Sequence, residues 1–253
     1  MARIFVSGST TGLGLLAGQQ LLARGHDVIF HARNEGRART LRGALPGAPV
    51  VIGDLSSMQE TRAVAEQVNA LAPLDAVIHN AGVGYGNGLQ KTPDGLPDIF
   101  AVNVLAPFML TALIERPRRL VYLSSSMHHV RANLDDVLWR QRKWNGTQAY
   151  CESKFLVTAL AFAVARLRPD VFSNAVDPGW VPTRMGGRGA PDDLEEGAAT
   201  QVALATSEDG FAAMSGQYLH HLRMHEPEKQ TRDLRTQDRL LDLCSELSGL
   251  KLA

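Results

Sequence analysis

The chain predicts an α/β fold, a doubly wound parallel sheet of about seven strands with helices on both faces. Three observations carry this prediction. Short apolar runs rich in β-formers recur along the chain, helical patterns fall between them, and a glycine-rich loop joins the first strand to the first helix. The predicted strands are 4–6, 28–30, 50–52, 76–79, 120–123, 172–176 and 217–219, and the helices lie near 13–24, 34–44, 57–71, 96–113, 150–167, 193–206 and 231–248. Right-handed crossovers between parallel strands then place a ligand at the strands' carboxyl ends.

Local signals support the elements in turn. Gly25 ends the first helix, and His26 turns the chain into the second strand. Ser56 followed by Gln59 reads as a capping box for the helix after the third strand. Asn103 interrupts the apolar helical run 99–108, where a buried amide needs partners. Pro107, four residues on, lacks the N–H that normally bonds the Asn103 carbonyl, so a break is expected there. The stretch 182–193 is rich in glycine and proline, either a segment that closes over a substrate or a plain surface loop.

Bulk properties bound the function. The 253 residues suit one large domain spanning 1–253, and 45% hydrophobic content is ordinary for a soluble chain. Lysine plus arginine equal aspartate plus glutamate at 26 each, so no global field favours nucleic acid or an anionic membrane. Cys151 and Cys244 lie far apart in apolar helical patterns, which argues against a disulfide framework and for a cytoplasmic setting. No targeting segment precedes the first strand, and the apolar stretch 155–165 is too short to cross a bilayer. That helix packs either on a second copy or within one chain, so a homo-oligomer is possible.

The loop Gly8-Ser9-Thr10-Thr11-Gly12-Leu13-Gly14 follows a strand and opens a helix. Glycines let the backbone approach a pyrophosphate, while the helix start offers free N–H groups and a favourable dipole. This marks a Rossmann-type dinucleotide site without naming the reaction. At the end of the second strand stands His31-Ala32-Arg33-Asn34, with no carboxylate before Glu35. Arg33 can pair bidentately with a 2′-phosphate, so NADP(H) is expected over NAD(H); the other reading is an exposed loop arginine. Asp54 suits the adenine amino group or a turn, and Asn80-Ala81-Gly82 the adenosine ribose or a turn.

Tyr150 and Lys154 stand one helical turn apart and share a face. A free phenol titrates near pH ~10, and a neighbouring ammonium favours the phenolate. Tyr150 can then exchange a proton with a carbonyl or alcohol oxygen while Lys154 holds the nicotinamide ribose. The Asn103 carbonyl, freed by Pro107, can hold an ordered water facing Lys154 and complete a proton path. Ser124-Ser125-Ser126 ends the fifth strand, where a hydroxyl can steady a developing oxyanion or simply form a turn.

These residues jointly resemble the short-chain dehydrogenase/reductase family over nearly the whole chain. The family's glycine motif matches Gly8, Gly12 and Gly14, with Ser7 where threonine is commoner, and its Asn-Asn-Ala-Gly motif appears as His79-Asn80-Ala81-Gly82. The resemblance implies a catalytic set of Asn103, Ser125, Tyr150 and Lys154. It also implies cofactor contacts from Asp177-Pro178-Gly179-Trp180-Val181-Pro182-Thr183, at Pro178, Gly179, Val181 and Thr183, the last on the nicotinamide amide, although on sequence alone Thr183 is equally a helix cap. Tyr150 follows Ser125 by 25 positions, a spacing similar to the retinol-dehydrogenase-like branch. The stretches 124–129, 149–154, 215–219 and 244–247 look like that branch too, although anchored members differ in what precedes the first strand.

The added segment 128–147 carries Trp139 and Trp144, which either wall an apolar pocket or pack the insertion onto the sheet. His220, His221 and His225 lack the acid or cysteine spacing of a metal motif, so no metal is expected. The reading is therefore an NADP(H)-dependent oxidoreductase that interconverts a small-molecule carbonyl and an alcohol. Two alternatives are a silent dinucleotide-binding sensor or scaffold, and reduction of a carbon–carbon double bond.

Overall fold

Eight strands form one sheet in the order β3-β2-β1-β4-β5-β6-β7-β8. The computed structural model describes residues 1–86 and 88–252. Strands β1 (Arg3–Val6), β2 (Asp27–Ala32), β3 (Val50–Ile52), β4 (Ala76–His79), β5 (Arg119–Leu123), β6 (Phe172–Asp177) and β7 (Tyr218–His220) are mutually parallel. All seven coincide with predicted strands to within two residues at either end. The eighth, β8 (Arg223–His225), pairs antiparallel with β7 and was not predicted. Its side chains are exposed, so it lacks the apolar signature that marks a strand in sequence. His221 and Leu222 make the tight turn before it with φ of 44° and 63°.

Alternation along each strand divides the core into two layers. Phe5, Val77, Leu120, Tyr122 and Ala175 pack with α3 (Met58–Asn69), α5 (Ala106–Leu113), α6 (Gly146–Leu167) and α8 (Leu234–Ser248). Ile4, Val6, Ile78, Val121 and Val176 pack on the other face with α1 (Gly12–Ala23), α2 (Glu35–Ala44) and α7 (Leu194–Thr206). Strand order reverses between β1 and β4, and this switch point opens a crevice at the carboxyl ends of the strands.

The helix caps explain where the chain turns. Gly25 follows α1 with φ of 79°, as its placement in the sequence requires. The cap of α3 is Ser57, not Ser56: its hydroxyl accepts the Glu60 N–H at 3.3 Å. Glu60 reaches back to the Asp54 N–H at 2.7 Å instead of closing a box on its own cap residue. The break expected near Pro107 takes the form of a π-helical turn, Ala101–Leu105, between the short α4 (Asp98–Phe100) and α5. The Ala106 N–H there reaches the Ala101 carbonyl.

Helix α6 is buried continuously from Ala149 to Val164. Much of its cover comes from α8, where Leu240 and Cys244 join the same core layer. Arg166 adds polar contacts across the pair, to Gln237 at 3.1 Å and to Asp238. The segment before α6 is organised by charge: Asp136 accepts the N–H groups of Arg140, Gln141 and Arg142, and the Arg142 guanidinium bridges Asp136 and Glu152. No helix among the described residues is long and apolar enough to cross a membrane.

Candidate active site

The glycine loop is held from three sides. Gly8 has φ of 63°, and a side chain there would meet the Ala81 Cα at 2.8 Å. Asn80 donates its amide to the Ser7 and Gly8 carbonyls at 3.0 and 3.1 Å, while Ser7 Oγ accepts the Ala81 N–H at 3.0 Å. A Cβ on Gly14 would lie 2.3 Å from that Asn80 amide, so the absence of a side chain at 14 is what admits it. Asn80 and Ala81 thus brace the glycine loop itself. From the third side, His31 Nδ1 accepts the Gly8 N–H at 2.9 Å and Nε2 bonds the Gly53 carbonyl at 2.8 Å. These bonds fix the neutral Nε2–H tautomer, and burial lowers the His31 pKa. Ser9 Oγ completes the brace, accepting the His31 N–H and donating to the Val6 carbonyl, both at 2.8 Å.

Above this loop the start of α1 stands open. Thr11 is extended at the cap and makes no side-chain cap bond, and the first turn holds no acid. The N–H groups there and the helix dipole are free to meet an anion. The Thr183 methyl lies over Gly12, and Leu13 packs against Gly197 of α7. Thr183 Oγ1 accepts the Gly186 N–H at 3.1 Å, Val181 is buried against Gly197, and Gly179 (φ 81°) donates its N–H to Asp177 at 2.9 Å. The Pro178 carbonyl also faces Gly197. On the far side of the crevice Arg33 lies 3.9 Å from Asp54, both partly exposed, and Arg37 Nη1 is 3.5 Å from Thr10 Oγ1.

Tyr150 and Lys154 project from α6 into the same crevice. The Lys154 Nζ donates to the Leu123 carbonyl at 2.8 Å and lies 5.5 Å from the Tyr150 ring centroid. The three serines separate cleanly. Ser124 Oγ is buried against Thr158 Oγ1 at 2.6 Å, Ser125 accepts the Met127 N–H at 3.2 Å and faces the Tyr150 hydroxyl, and Ser126 is exposed. Asn103 spends its amide on the Val83 backbone, at 2.8 and 3.1 Å, and on Ser153 Oγ at 3.0 Å. Ser153 returns to the Tyr150 carbonyl at 2.7 Å, so Asn103 ties the 80–83 turn to the helix bearing Tyr150. A Cβ on Gly82 would lie 3.4 Å from Asn103 Oδ1 and 3.8 Å from Lys154 Nζ, which puts those two groups around one point.

The expected depression of the Tyr150 phenol is corrected by its surroundings. Burial raises its pKa above the ordinary value, Ser125 opposes this, and Tyr85, Asp177 and Cys151 add to the rise. Burial also pushes Lys154 down, to about 8. At neutral pH the pair therefore stands as phenol and ammonium. Met185 of the 182–193 segment covers the phenol, its Sδ 3.8 Å from the hydroxyl, and the Tyr85 ring lies 5.2 Å from that of Tyr150. Trp139 and Trp144 meet edge to face at 5.1 Å and cluster with Ile99, Ala149 and Tyr150, packing the insertion beside the phenol. His220, His221 and His225 gather at the β7–β8 turn, and among the described residues no group of His, Cys, Asp and Glu could hold a metal ion.

Comparison with known proteins supplies the family. The family model for short chain dehydrogenase matches residues 2–119. Short-chain dehydrogenase chry4 of Gibberella zeae is 40% identical over 258 residues, covering 100% of this chain and 99% of that protein. This chain belongs to the short-chain dehydrogenases. Human retinol dehydrogenase 13 is a more distant relative, 28% identical over 98% of this chain and 85% of its own length. The crystal structure of an uncharacterized protein from Mycobacterium paratuberculosis shares the fold, with a TM-score of 0.87 at 23% identity over 100% of this chain and 95% of that one.

As a short-chain dehydrogenase the protein is an NAD(P)-dependent oxidoreductase, and the crevice fits such a dinucleotide. The uncapped α1 N-terminus suits a pyrophosphate, and the backbone of the glycine loop approaches the crevice without side chains in the way. Sequence reasoning missed several contributors. His31 was read only as a residue that is not acidic, though a histidine inside a buried strand always demands partners. Arg37 lies one helical turn beyond Arg33, a spacing that could have flagged it. Met185 and Tyr85 come from loops, whose contacts leave no periodic trace in sequence.

Proposed function

We propose that this short-chain dehydrogenase interconverts a carbonyl and an alcohol, uses NADP(H) in preference to NAD(H), and employs Tyr150 as general acid and base. The observation that carries the reading is the buried Tyr150 hydroxyl, with Ser125 facing it and the Lys154 ammonium 5.5 Å from its ring, in one crevice with the glycine loop. The loop 8–14 would hold the pyrophosphate, Asp54 and the 80–82 turn the adenosine, and Pro178, Gly179, Val181 and Thr183 the nicotinamide. When bound, the nicotinamide supplies or accepts the hydride.

Each residue then has a task. Tyr150 gives its proton to the substrate oxygen in reduction, and the phenol form favoured by burial is the one able to do so at neutral pH. Ser125 donates a hydrogen bond to the same oxygen as charge develops on it. Lys154 presents its remaining protons to the nicotinamide ribose and favours the phenolate as the proton leaves. Asn103 keeps the 80–83 turn and α6 in register. Arg33, with Arg37 one turn away, is the cation pair that suits a 2′-phosphate and gives the NADP(H) preference.

The test is NADPH consumption over a panel of aldehydes, ketones and enones, with Tyr150→Phe as the control. Turnover of carbonyls that the variant loses by at least about a hundredfold supports the assignment. Turnover that persists in Tyr150→Phe overturns the proton donor, and binding of NADPH without turnover favours a sensor.

A further inference from the structure

Asp177 is a buried carboxylate, 5% exposed, at the carboxyl end of β6, with no part in the chemistry described so far. Strand alternation fixes where it points. Ala175 packs on the α6 face and Val176 on the α7 face, so Asp177 returns to the α6 face, which carries Tyr150 and Lys154. Sheet register brings it close. The Leu123 carbonyl that holds the Lys154 ammonium belongs to the residue paired with Val176, the immediate neighbour of Asp177. The carboxylate accepts the Gly179 N–H at 2.9 Å, the Tyr218 phenol faces it, and His220 binds the Asp177 main-chain carbonyl through Nδ1 at 3.2 Å, 3.7 Å from Oδ2.

We propose that Asp177 is a positioning residue, an anion fixed behind the Tyr150–Lys154 pair that holds Lys154 in its ammonium form at neutral pH. This rests on the reading of that pair as the proton-transfer machinery. The need for such an anion is physical, because a buried ammonium without a counter-charge loses its proton. Burial takes Lys154 down to about 8, and Asp177 acts against that fall. The same carboxylate adds to the rise of Tyr150. The other titratable groups around the pair are Tyr85 from the loop after β4, Cys151 and Glu152 on α6, His128 after β5, and Tyr218 and His220 on β7. Glu152 is already committed to Arg142 at 2.7 Å. Removing the charge at 177 therefore makes both Lys154 and Tyr150 release their protons at lower pH.

Asp177→Asn removes the charge and keeps an oxygen for the Gly179 N–H. For carbonyl reduction, the alkaline limb of its kcat/KM profile should move to lower pH by about one unit, an about tenfold loss above the limb relative to the variant's own plateau. Asp177→Glu should keep the limb near its original place. A residue that merely shaped the 177–179 turn would lower the plateau and leave the limb where it was, and that result overturns the proposal. If Asp177→Asn fails to fold, Asp177→Ser provides the same comparison. If the unaltered enzyme reduces no carbonyl, the proposed reaction fails separately. The titration of the Lys154 ε-carbon, followed by carbon NMR in the unaltered and variant proteins, then decides on Asp177: an unchanged midpoint refutes it.

Discussion

Acidification should destabilise this fold through histidines that are buried neutral. His79 on β4 stacks on Tyr122 at 4.6 Å, and its Nε2 lies 3.1 Å from Thr111 Oγ1. Thr111 gives its own proton to the Pro107 carbonyl, so His79 is the donor, and its Nδ1 is buried without a partner. Burial pushes His79 down to about 3. His128 has both nitrogens engaged, Nδ1 with the Ser125 carbonyl at 2.7 Å and Nε2 with the Glu228 N–H at 3.0 Å. Burial pushes it down to about 4.

Both groups titrate near pH ~6.5 once the chain unfolds. The folded pKa lies below the unfolded one, so the stabilisation is intact above about pH 6.5 and declines as pH falls toward the folded value. By pH ~5 each histidine has removed about 2 kcal/mol, together about 4 kcal/mol. That is a large share of a typical ~5–15 kcal/mol of stability. His31 acts in the same direction. Urea unfolding at several pH values between about 8 and 5 measures the slope, and His79→Asn should reduce it by about one proton, ~1.4 kcal/mol per pH unit. Parallel loss of stability in the two proteins, or a flat profile in the unaltered one, would refute the reasoning.

Two further outcomes follow from charges. Arg33→Ala should weaken NADPH binding by roughly tenfold or more and leave NADH binding nearly unchanged, as cofactor fluorescence titration would register; equal losses for both cofactors would remove the 2′-phosphate contact. Arg142→Ala takes the guanidinium from Glu152, whose side chain is 3% exposed and keeps only the Gln148 amide, while Asp136 retains its main-chain N–H donors. Leaving a buried carboxylate without its cation is destabilising, so thermal unfolding should shift down, and an unchanged midpoint would show that Glu152 rehydrates.

The sheet was legible because buried parallel strands are short apolar runs and the intervening helices carry their own period. The short, exposed β8 escaped for the converse reason. Glycine positions could be read as turns, but not that Gly14 exists to admit the Asn80 amide, since that contact joins residues far apart in sequence. The spacing of Tyr150 and Lys154 placed them together, yet it carried no trace of the burial that raises the phenol. The two residues alone suggest mutual attraction, whereas the burial that dominates comes from the rest of the chain. Residue types alone left the three serines unordered and the family resemblance pointed to Ser125; the structure adds that Thr158 of α6 claims Ser124.

The cover that α8 gives α6 bears on how much apolar surface this molecule presents. Helix α6 is an apolar surface, with Phe155, Leu156 and Phe162 in its buried run, and the chain's last helix occupies part of it. The C-terminal helix therefore shields this apolar stretch from water. A chain shortened before Leu234 would lose Leu240 and Cys244 from the core and leave that apolar surface exposed.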